Sequence, residues 1–491
     1  MQKNSTKKNK KTDDNYIDIK NILIIGAGVA GRMVCDEILT HSELNYKIIG
    51  FADDDTAKKS YKNFPILGKI NELDKILKNY QIDIALIAIP SARGALIRKI
   101  INKCSKNKLE FRIVPGIFKI ISGDVKINQI REVKPEDLLG RETVQLDIYN
   151  LKTKTKNKTV LVTGGAGSIG TELCKQLCDN LEISKLLIID QNESELYYLQ
   201  QLLNETVPQK IYGICDISNY NRLEFFSKKY RPDIVFHAAA YKHVPLMEEN
   251  IYEAVRVNIF GSKNIFELAN KYNTEYCALI STDKAVNPTS IMGATKRIAE
   301  QILLYYSNKK NYNTKLSAVR FGNVLASRGS VVPLFQAQIA KGGPITITHP
   351  EIYRYFMTIG EAASLVLNTL KISDGGEIFV LDMGEQIKIA DLAKNLIILS
   401  GLKPNRDIKI VYTGLRKGEK LFEEILTSKD NATATKLEKI YIAYPQKTSD
   451  TLLINTLKKM KKLLQTNDDI DADLKKLILT LVPEFIINHQ N

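Results

Sequence analysis

One local pattern occurs twice in this 491-residue chain. An apolar run passes through closely spaced glycines into a segment with helical spacing. The first copy is Ile22-Leu23-Ile24-Ile25 followed by Gly26-Ala27-Gly28-Val29-Ala30-Gly31. Met33, Val34, Ile38 and Leu39 then share a helix face, Lys47 to Phe51 reads as the next strand, and Asp53 lies just beyond it. The second is Val160-Leu161-Val162-Thr163, then Gly164-Gly165-Ala166-Gly167-Ser168-Ile169-Gly170, a helix to about Cys178, and Leu186 to Asp190. Strand, glycine turn, helix and parallel strand in that order constrain the fold strongly, because each copy has to be a β-α-β unit. Further strands are expected at 211–216, 234–237, 278–281 and 316–320, with helices between them. The fold class is therefore α/β, with two Rossmann-like doubly wound parallel sheets, the second carrying a smaller α/β lobe. The expected organisation is a basic tail over 1–20, a first domain over 21–115, a connecting segment over 116–158, and a main domain over 159–491.

A helix start leaves its first amides unpaired and carries partial positive charge, so a pyrophosphate can settle there if no side chain blocks it. Gly164, Gly167 and Gly170 supply the tight turn, the close approach and the close helix packing. Asp190, at the tip of the next strand, suits ribose hydroxyls, and the following Gln191-Asn192 offers no arginine for a 2′-phosphate. The residues therefore favour NAD over NADP. The first triplet, with Asp53, fits the same pattern, but nothing downstream of it reads as a reaction centre. That unit is either occupied by a nucleotide or kept for regulation or docking.

Charge and cysteines narrow the function classes. The net charge is +15, but the lysine clusters fall at Lys3 to Lys11, at Lys152, Lys154, Lys156 and Lys158, and at Lys458 to Lys462. These read as tails and joints rather than as a nucleic-acid surface. An anionic small substrate or an acidic membrane face fits the excess better. No stretch has the ~18 apolar residues of a membrane span, and the start has no secretory signal. Cys35, Cys104, Cys174, Cys178, Cys215 and Cys277 are scattered without a completing histidine or second pair, which implies reduced thiols in a cytoplasmic protein and no metal site.

The strand ending at Ser281 runs into Thr282-Asp283-Lys284, and the end of a central parallel strand is where such sheets place chemistry. Met292 and Lys296 follow, one helical turn apart. In short-chain dehydrogenases that pair is a tyrosine and a lysine. Here methionine cannot carry a proton, while Lys296 can still hold the nicotinamide ribose. Taken singly, Thr282 reads equally well as a turn former, Asp283 as a helix cap and Lys284 as a solvated side chain.

Five segments in order carry a resemblance: Thr163 to Gly170, His237 to Glu248, Ser281 to Lys284, Arg320 to Ser330, and Gly414 to Glu419. The chain resembles the extended short-chain dehydrogenases, and within them the nucleotide-sugar 4,6-dehydratases of bacterial surface-glycan and protein-glycan synthesis. Met292 is similar to the branch that acts on UDP-N-acetylglucosamine and retains configuration at C5. The first unit resembles the domain such enzymes carry behind membrane helices. No such helices are read here, so peripheral membrane association is what remains.

The resemblance implies NAD held by Gly164, Gly167, Ser168, Ile169, Gly170, Asp190, Asp216, Ile217, Ala238, Ala239, Ala240 and Lys296. It implies UDP-N-acetylglucosamine near Lys242, His243, Asn323 and Arg328, with Arg354, Arg416 and Glu419 reaching the diphosphate and ribose. In the implied reaction Thr282 binds the C4 oxygen and Asp283, raised by burial, protonates the departing C6 hydroxyl. Lys284, lowered by desolvation beside Lys296, takes the C5 proton. The C4 hydroxyl proton goes either to Asp283 or to a water held by Thr282, with Tyr241 as a weaker stand-in for the phenol. His237 either faces the cofactor or is a packed, satisfied histidine, and Asn258 pins strand backbone. In the family, helices such as those over 254–272 and 293–307 pair between subunits, which implies a homo-oligomer; their apolar faces read equally well as ordinary sheet-covering surface. The rival readings are a sugar 4-epimerase and a non-catalytic NAD-sensing scaffold.

Overall fold

The computed structural model describes residues 19–487, apart from 42, 44, 56, 58, 115–129, 140–146, 204–207, 425–430, 446–447 and 467. The tail over 1–18 and much of the expected connecting segment lie outside the described residues. The chain divides into two units, Met1–Glu142 and Thr143–Asn491.

In the first unit, strands Lys20–Ile25, Tyr46–Ala52 and Ile84–Ile87 run parallel, with the first of them central. Glu110–Ile113 pairs parallel on one side and Phe64–Gly68 on the other. Near-continuous apolar strands such as Ile22 to Ile25, all buried, fit a sheet covered on both faces. The unit runs past its expected end at residue 115. Arg131 bridges Ile113, Arg98 Nη1 donates to the Leu138 carbonyl at 2.6 Å, and Leu138 is buried.

The second unit is built on a sheet with central parallel order Glu377–Leu381, Lys315–Arg320, Tyr276–Ile280, Ile234–His237, Thr159–Thr163, Lys185–Asp190 and Gln209–Ile214. The sequence order reverses between Thr159–Thr163 and Ile234–His237. That is the switch point at which such sheets open a crevice beyond their carboxyl ends. The glycine turn after Thr163 and the Thr282–Lys284 segment after Ile280 both lie at those ends. Antiparallel strands Ile440–Tyr444 and Asn431–Ala434 extend one edge. The smaller lobe carries Tyr353–Met357 and Gln386–Lys388, with helices Val331–Ala340 and Ile389–Leu399. The expected fold class holds for both units.

Two sequence expectations need correction. The lysine-alternating stretch read as linker contains the helix Ile148–Thr155, with Leu151 and Thr155 fully buried. Lys154 Nζ donates to the carbonyls of Leu370 and Lys371 at 3.2 Å each, and Lys371 pairs with Asp147. The lysines mark the wet face of an amphipathic helix.

The second correction concerns the apolar faces expected to pair between subunits. The face of 293–307 packs against the chain's own C-terminal helices, Asp450–Leu463 and Asp471–Leu481. Leu457, Met460, Leu474, Ile478 and Phe485 pack in one core with Phe266, Ile298 and Ile302. Gln301 Nε2 reaches the Leu481 carbonyl at 3.1 Å. The expected helix over 254–272 is also interrupted, since Ala254–Gly261 is π-helical and Ser262–Lys271 resumes the α-helix. No helix among the described residues is long and apolar enough to cross a membrane.

Candidate functional site

The cofactor-side crevice is shaped by backbone contacts that exclude side chains. Gly164 has φ +63°, and a Cβ there would lie 2.6 Å from Ala239 Cα, so the turn runs directly against the loop after His237. A Cβ on Gly170 would lie 2.1 Å from the Gly164 carbonyl oxygen. At Gly167 a Cβ would meet only that same oxygen, at 3.2 Å, so the helix entrance is open. The helix Ser168–Asn180 has no side-chain cap and no acidic residue in its first turn. Its leading amides are therefore available to an anion. Asp190 braces the turn, accepting from the Ala166 amide at 3.1 Å and the Asn192 amide at 3.0 Å.

Around this cradle, Ala238, Ala239 and Ala240 are half-buried. Ile217 is buried against Gly261. Asp216 accepts from Arg256 Nη1 at 2.6 Å and from the Ser218 amide and hydroxyl at 2.8 Å each. Burial alone would raise Asp216, but these donors outweigh it and hold the carboxyl below its usual range. His237 is fully buried, with Nδ1 2.7 Å from Thr163 Oγ1 and Nε2 3.0 Å from Ser262 Oγ. Burial pushes its pKa well down, and both ring nitrogens are satisfied, so it is a packed histidine. Asn258 clamps the backbone of Tyr241, accepting from its amide at 2.9 Å and donating to its carbonyl at 3.0 Å. That is the loop after Ile234–His237, not the next strand of the sheet. The Tyr241 hydroxyl accepts from Gln191 Nε2 at 3.2 Å.

The reacting segment forms one short turn, Asp283–Ala285, capped by Thr282. Thr282 Oγ1 donates to Asp283 Oδ1 at 2.9 Å and accepts the Lys284 amide at 3.3 Å. Thr282 is thus the turn former its residue type suggested, and its hydroxyl also touches the carboxylate. Asp283 is 2% exposed, and its Oδ2 is buried with no hydrogen-bond partner among the described residues. Burial, then the nearby Glu423 carboxylate, push its pKa up to about 6, with Lys284 opposing.

Lys284 Nζ donates to Asp283 Oδ1 and Asn323 Oδ1 and pairs with Glu423 Oε1, each at 3.1 Å. This corrects the expectation of a lowered lysine. Burial alone would lower Lys284, but Asp283 and Glu423 outweigh it and hold the ammonium above its ordinary value. Lys296 is lowered instead, pushed to about 8 by burial with Glu300 opposing, and burial lowers Lys242 as well. Lys296 lies one turn beyond Met292, which is buried in the core.

Behind the segment, Glu300 is fully buried. Its carboxylate accepts from Ser281 Oγ at 2.6 Å and from Arg320 at 2.7 and 2.8 Å. Arg297 approaches it at 3.5 Å. Burial alone would raise Glu300; Arg320, Arg297 and Ser281 hold it below the ordinary carboxylate range. Its contribution to stability is present at neutral pH and is lost as the pH falls through that range. Replacing Glu300 by alanine would leave Arg320, 1% exposed, without its carboxylate. The expected cost is about 3–5 kcal/mol, read as a shifted urea midpoint.

Beyond Lys284 lies a cavity of about 150 Å³ whose lining includes Lys284, Ser290, Arg416, Glu419, Lys420 and Glu423. Arg416 and Glu419 belong to one turn, the Arg416 amide donating to Glu419 at 3.1 Å. Two other expected substrate contacts are held by bonds within the protein. Arg354 is 7% exposed and donates to the carbonyls of Tyr353, Lys420 and Leu421 at 2.7, 2.7 and 3.1 Å. Its Nε also faces Glu423 at 3.2 Å, so it braces the 419–423 loop while lining the same cavity as Lys284 and Arg416. Arg328 folds over the glycine turn, its Nη1 donating to the Ala166 carbonyl at 2.9 Å and pairing with Glu195, while its amide donates to Ser168 Oγ at 3.1 Å. Lys242 Nζ donates to the Arg328 carbonyl at 2.9 Å, and the His243 ring lies against Gly329.

The sequence reading missed Glu423 and Glu300. The quoted motif stops at Glu419, four residues short of Glu423. The adjacent pair Glu423-Glu424 in the same segment was the available signal for the first of them.

Residues 160–445 match the family described as polysaccharide biosynthesis protein. The chain belongs to that family. Residues 12–115 match a family described as CoA-binding domain. The capsular polysaccharide biosynthesis protein CapD of Staphylococcus aureus is 42% identical, over 87% of this chain and 72% of its own. A UDP-N-acetylglucosamine 4,6-dehydratase (inverting) of Campylobacter jejuni is 34% identical, over 59% of this chain and 83% of its own. UDP-glucose 4-epimerases of Rickettsia species also match. The crystal structure of Pen from Bacillus thuringiensis aligns with a TM-score of 0.55 and 35% identity, over 60% of this chain and 89% of that one. Relatives of this family member thus include nucleotide-sugar dehydratases and epimerases.

Proposed function

We propose that the protein is an NAD-dependent 4,6-dehydratase of UDP-N-acetylglucosamine, making a 4-keto-6-deoxy sugar nucleotide for glycan assembly. The observation that carries this reading is the buried Asp283 in contact with Lys284 at the strand end, with Met292 where a phenol would stand. An epimerase needs a proton acceptor at C4 only. A dehydratase needs an acid for O6 and a base for C5 as well, and an adjoining carboxyl and amine supply both.

The open Gly167 entrance, the uncapped helix start and the half-buried Asp190 fit a dinucleotide. Lys296, near neutrality, suits a ribose contact. Bound NAD would supply hydride acceptance from C4 and its return to C6. Thr282 then hands the O4 proton along its 2.9 Å bond to ionised Asp283. Asp283 passes that proton to O6, which leaves as water. Lys284, in the free-amine state reached by loss of its ammonium proton to solvent, removes the C5 proton and later delivers a proton to the same face, which would retain configuration. That makes the proposed C5 outcome opposite to that named for the Campylobacter jejuni relative.

Incubating the purified protein with UDP-N-acetylglucosamine, without added NAD, tests the reading. The expected product is a 4-keto species lighter by one water, with one solvent deuterium at C5 when the reaction runs in D2O. A C4 epimer of unchanged mass would point to the epimerase. Bound NAD without turnover would point to a scaffold.

A further inference from the structure

We propose that Arg328 retains the dinucleotide, because its segment straps the two lips of the cofactor crevice together at the switch point of the sheet. This rests on the NAD-dependent reading above and extends it. In that reading the hydride taken from C4 has to return at C6. A dinucleotide that left between the two steps would strand a keto sugar. An open entrance therefore has to be matched by a slow exit, and exit rates are set by the contacts that must break first.

One lip is the glycine turn after Thr159–Thr163, and the other is the loop after Ile234–His237. Arg328 is bonded to both. On the first lip its amide donates to Ser168 Oγ at 3.1 Å and its Nη1 to the Ala166 carbonyl at 2.9 Å. These two residues flank Gly167, where the entrance is open and the helix start is uncapped. The same Nη1 pairs with Glu195, in the helix Glu193–Leu202 that follows the next strand. On the second lip, Lys242 Nζ donates to the Arg328 carbonyl at 2.9 Å. Gly329 turns at φ +67°, and a Cβ there would lie 2.6 Å from His243 Cε1, so the strap rests directly on that ring.

The strap is also tied to the reacting turn, since Asn323 Oδ1 accepts from Lys284 Nζ at 3.1 Å. Arg328 itself is exposed, as a residue that bridges the mouth of a crevice has to be. The guanidinium is already engaged by a carbonyl and a carboxylate of the cofactor side. That placement assigns Arg328 to the nucleotide cofactor rather than to the nucleotide sugar, where its sequence neighbourhood had put it. Its bonds to charged and carbonyl oxygens are of the stronger kind, and they have to break before the lips can part.

The test is the exit rate itself. Protein loaded with NADH is mixed with excess NAD, and the fading of bound-NADH fluorescence gives the dissociation rate. Arg328→Met keeps the length of the side chain without its charge or donors. It should release NADH about tenfold faster, with association changed by less than about threefold. Glu195→Gln loosens one end only and should give a smaller rise. In the double variant it should add nothing, because its partner is already gone. UDP affinity of Arg328→Met, by calorimetry, should stay within about threefold of wild type. An unmoved NADH exit rate overturns the inference, and a UDP affinity lowered beyond that returns Arg328 to the nucleotide sugar. Additive effects in the double variant overturn it as well. So does a faster exit in a variant whose nucleotide-free form melts about 5 °C lower or more, since a loosened fold gives that result. Should Arg328→Met not fold, Glu195→Gln decides: a faster exit supports, an unchanged one overturns. The assay needs no turnover. A wild-type protein that holds NADH but dehydrates no UDP-sugar defeats the dehydratase reading and leaves the strap standing, whereas one that binds no NADH defeats both.

Discussion

Asp283→Asn is expected to lower kcat about 1,000-fold and, at the same time, to raise stability at neutral pH. The two effects share one cause. Asp283 has a folded pKa of about 6 against an ordinary 3.8, raised chiefly by burial and next by Glu423. A group whose folded pKa is raised stabilises fully below its unfolded value and loses that contribution as pH climbs through the folded one. The ionised carboxyl therefore penalises the folded state above about pH 6, by about 1–3 kcal/mol. Asparagine removes the charge and the penalty, and Lys284 keeps Glu423 as its partner. The melting temperature should rise at about pH 8 and stay unchanged at about pH 4. A variant less stable at both would mean that the Asp283–Lys284 contact supports the fold rather than the chemistry. An active variant would remove the acid from the scheme.

The second large effect separates two glycines three residues apart. Gly170→Ala places a Cβ 2.1 Å from a backbone oxygen that cannot swing aside. The expected loss is at least about 3 kcal/mol, visible as a lowered melting temperature with or without nucleotide. Gly167→Ala meets that oxygen only at 3.2 Å and has an ordinary backbone angle. Its methyl would instead stand at the entrance where a pyrophosphate approaches. The free protein should melt nearly as the wild type does, while NAD affinity, measured by calorimetry, falls about 100-fold, or ~3 kcal/mol. Equal behaviour of the two variants would show that the entrance is not where phosphate binds.

The architecture was readable where the interactions are local. A glycine turn between strand and helix is dictated by sterics within a few residues, so both β-α-β units follow from Gly26 to Gly31 and Gly164 to Gly170. The apolar runs of parallel strands mark themselves in the same way. Thr282, Asp283 and Lys284 could be singled out for a similar reason: neighbours in sequence at a strand end remain neighbours in space.

What the sequence left undetermined is where long-range contact decides. Residue type made Lys284 a candidate for a lowered pKa. Its charge is held by the adjoining Asp283 together with Glu423, which only the fold of the smaller lobe brings within 3.1 Å. Arg354 looked like a phosphate ligand because a guanidinium is suited to one. Three carbonyls and a carboxylate fix it in the cavity wall, and no local pattern announces them. The apolar faces of 254–272 and 293–307 were legible as faces needing cover, but not which partner covers them. A helix pair beginning at residue 450 packs on the second of them. Periodicity reports that a surface must leave water. Which surface it meets depends on where the rest of the chain has been carried by the fold.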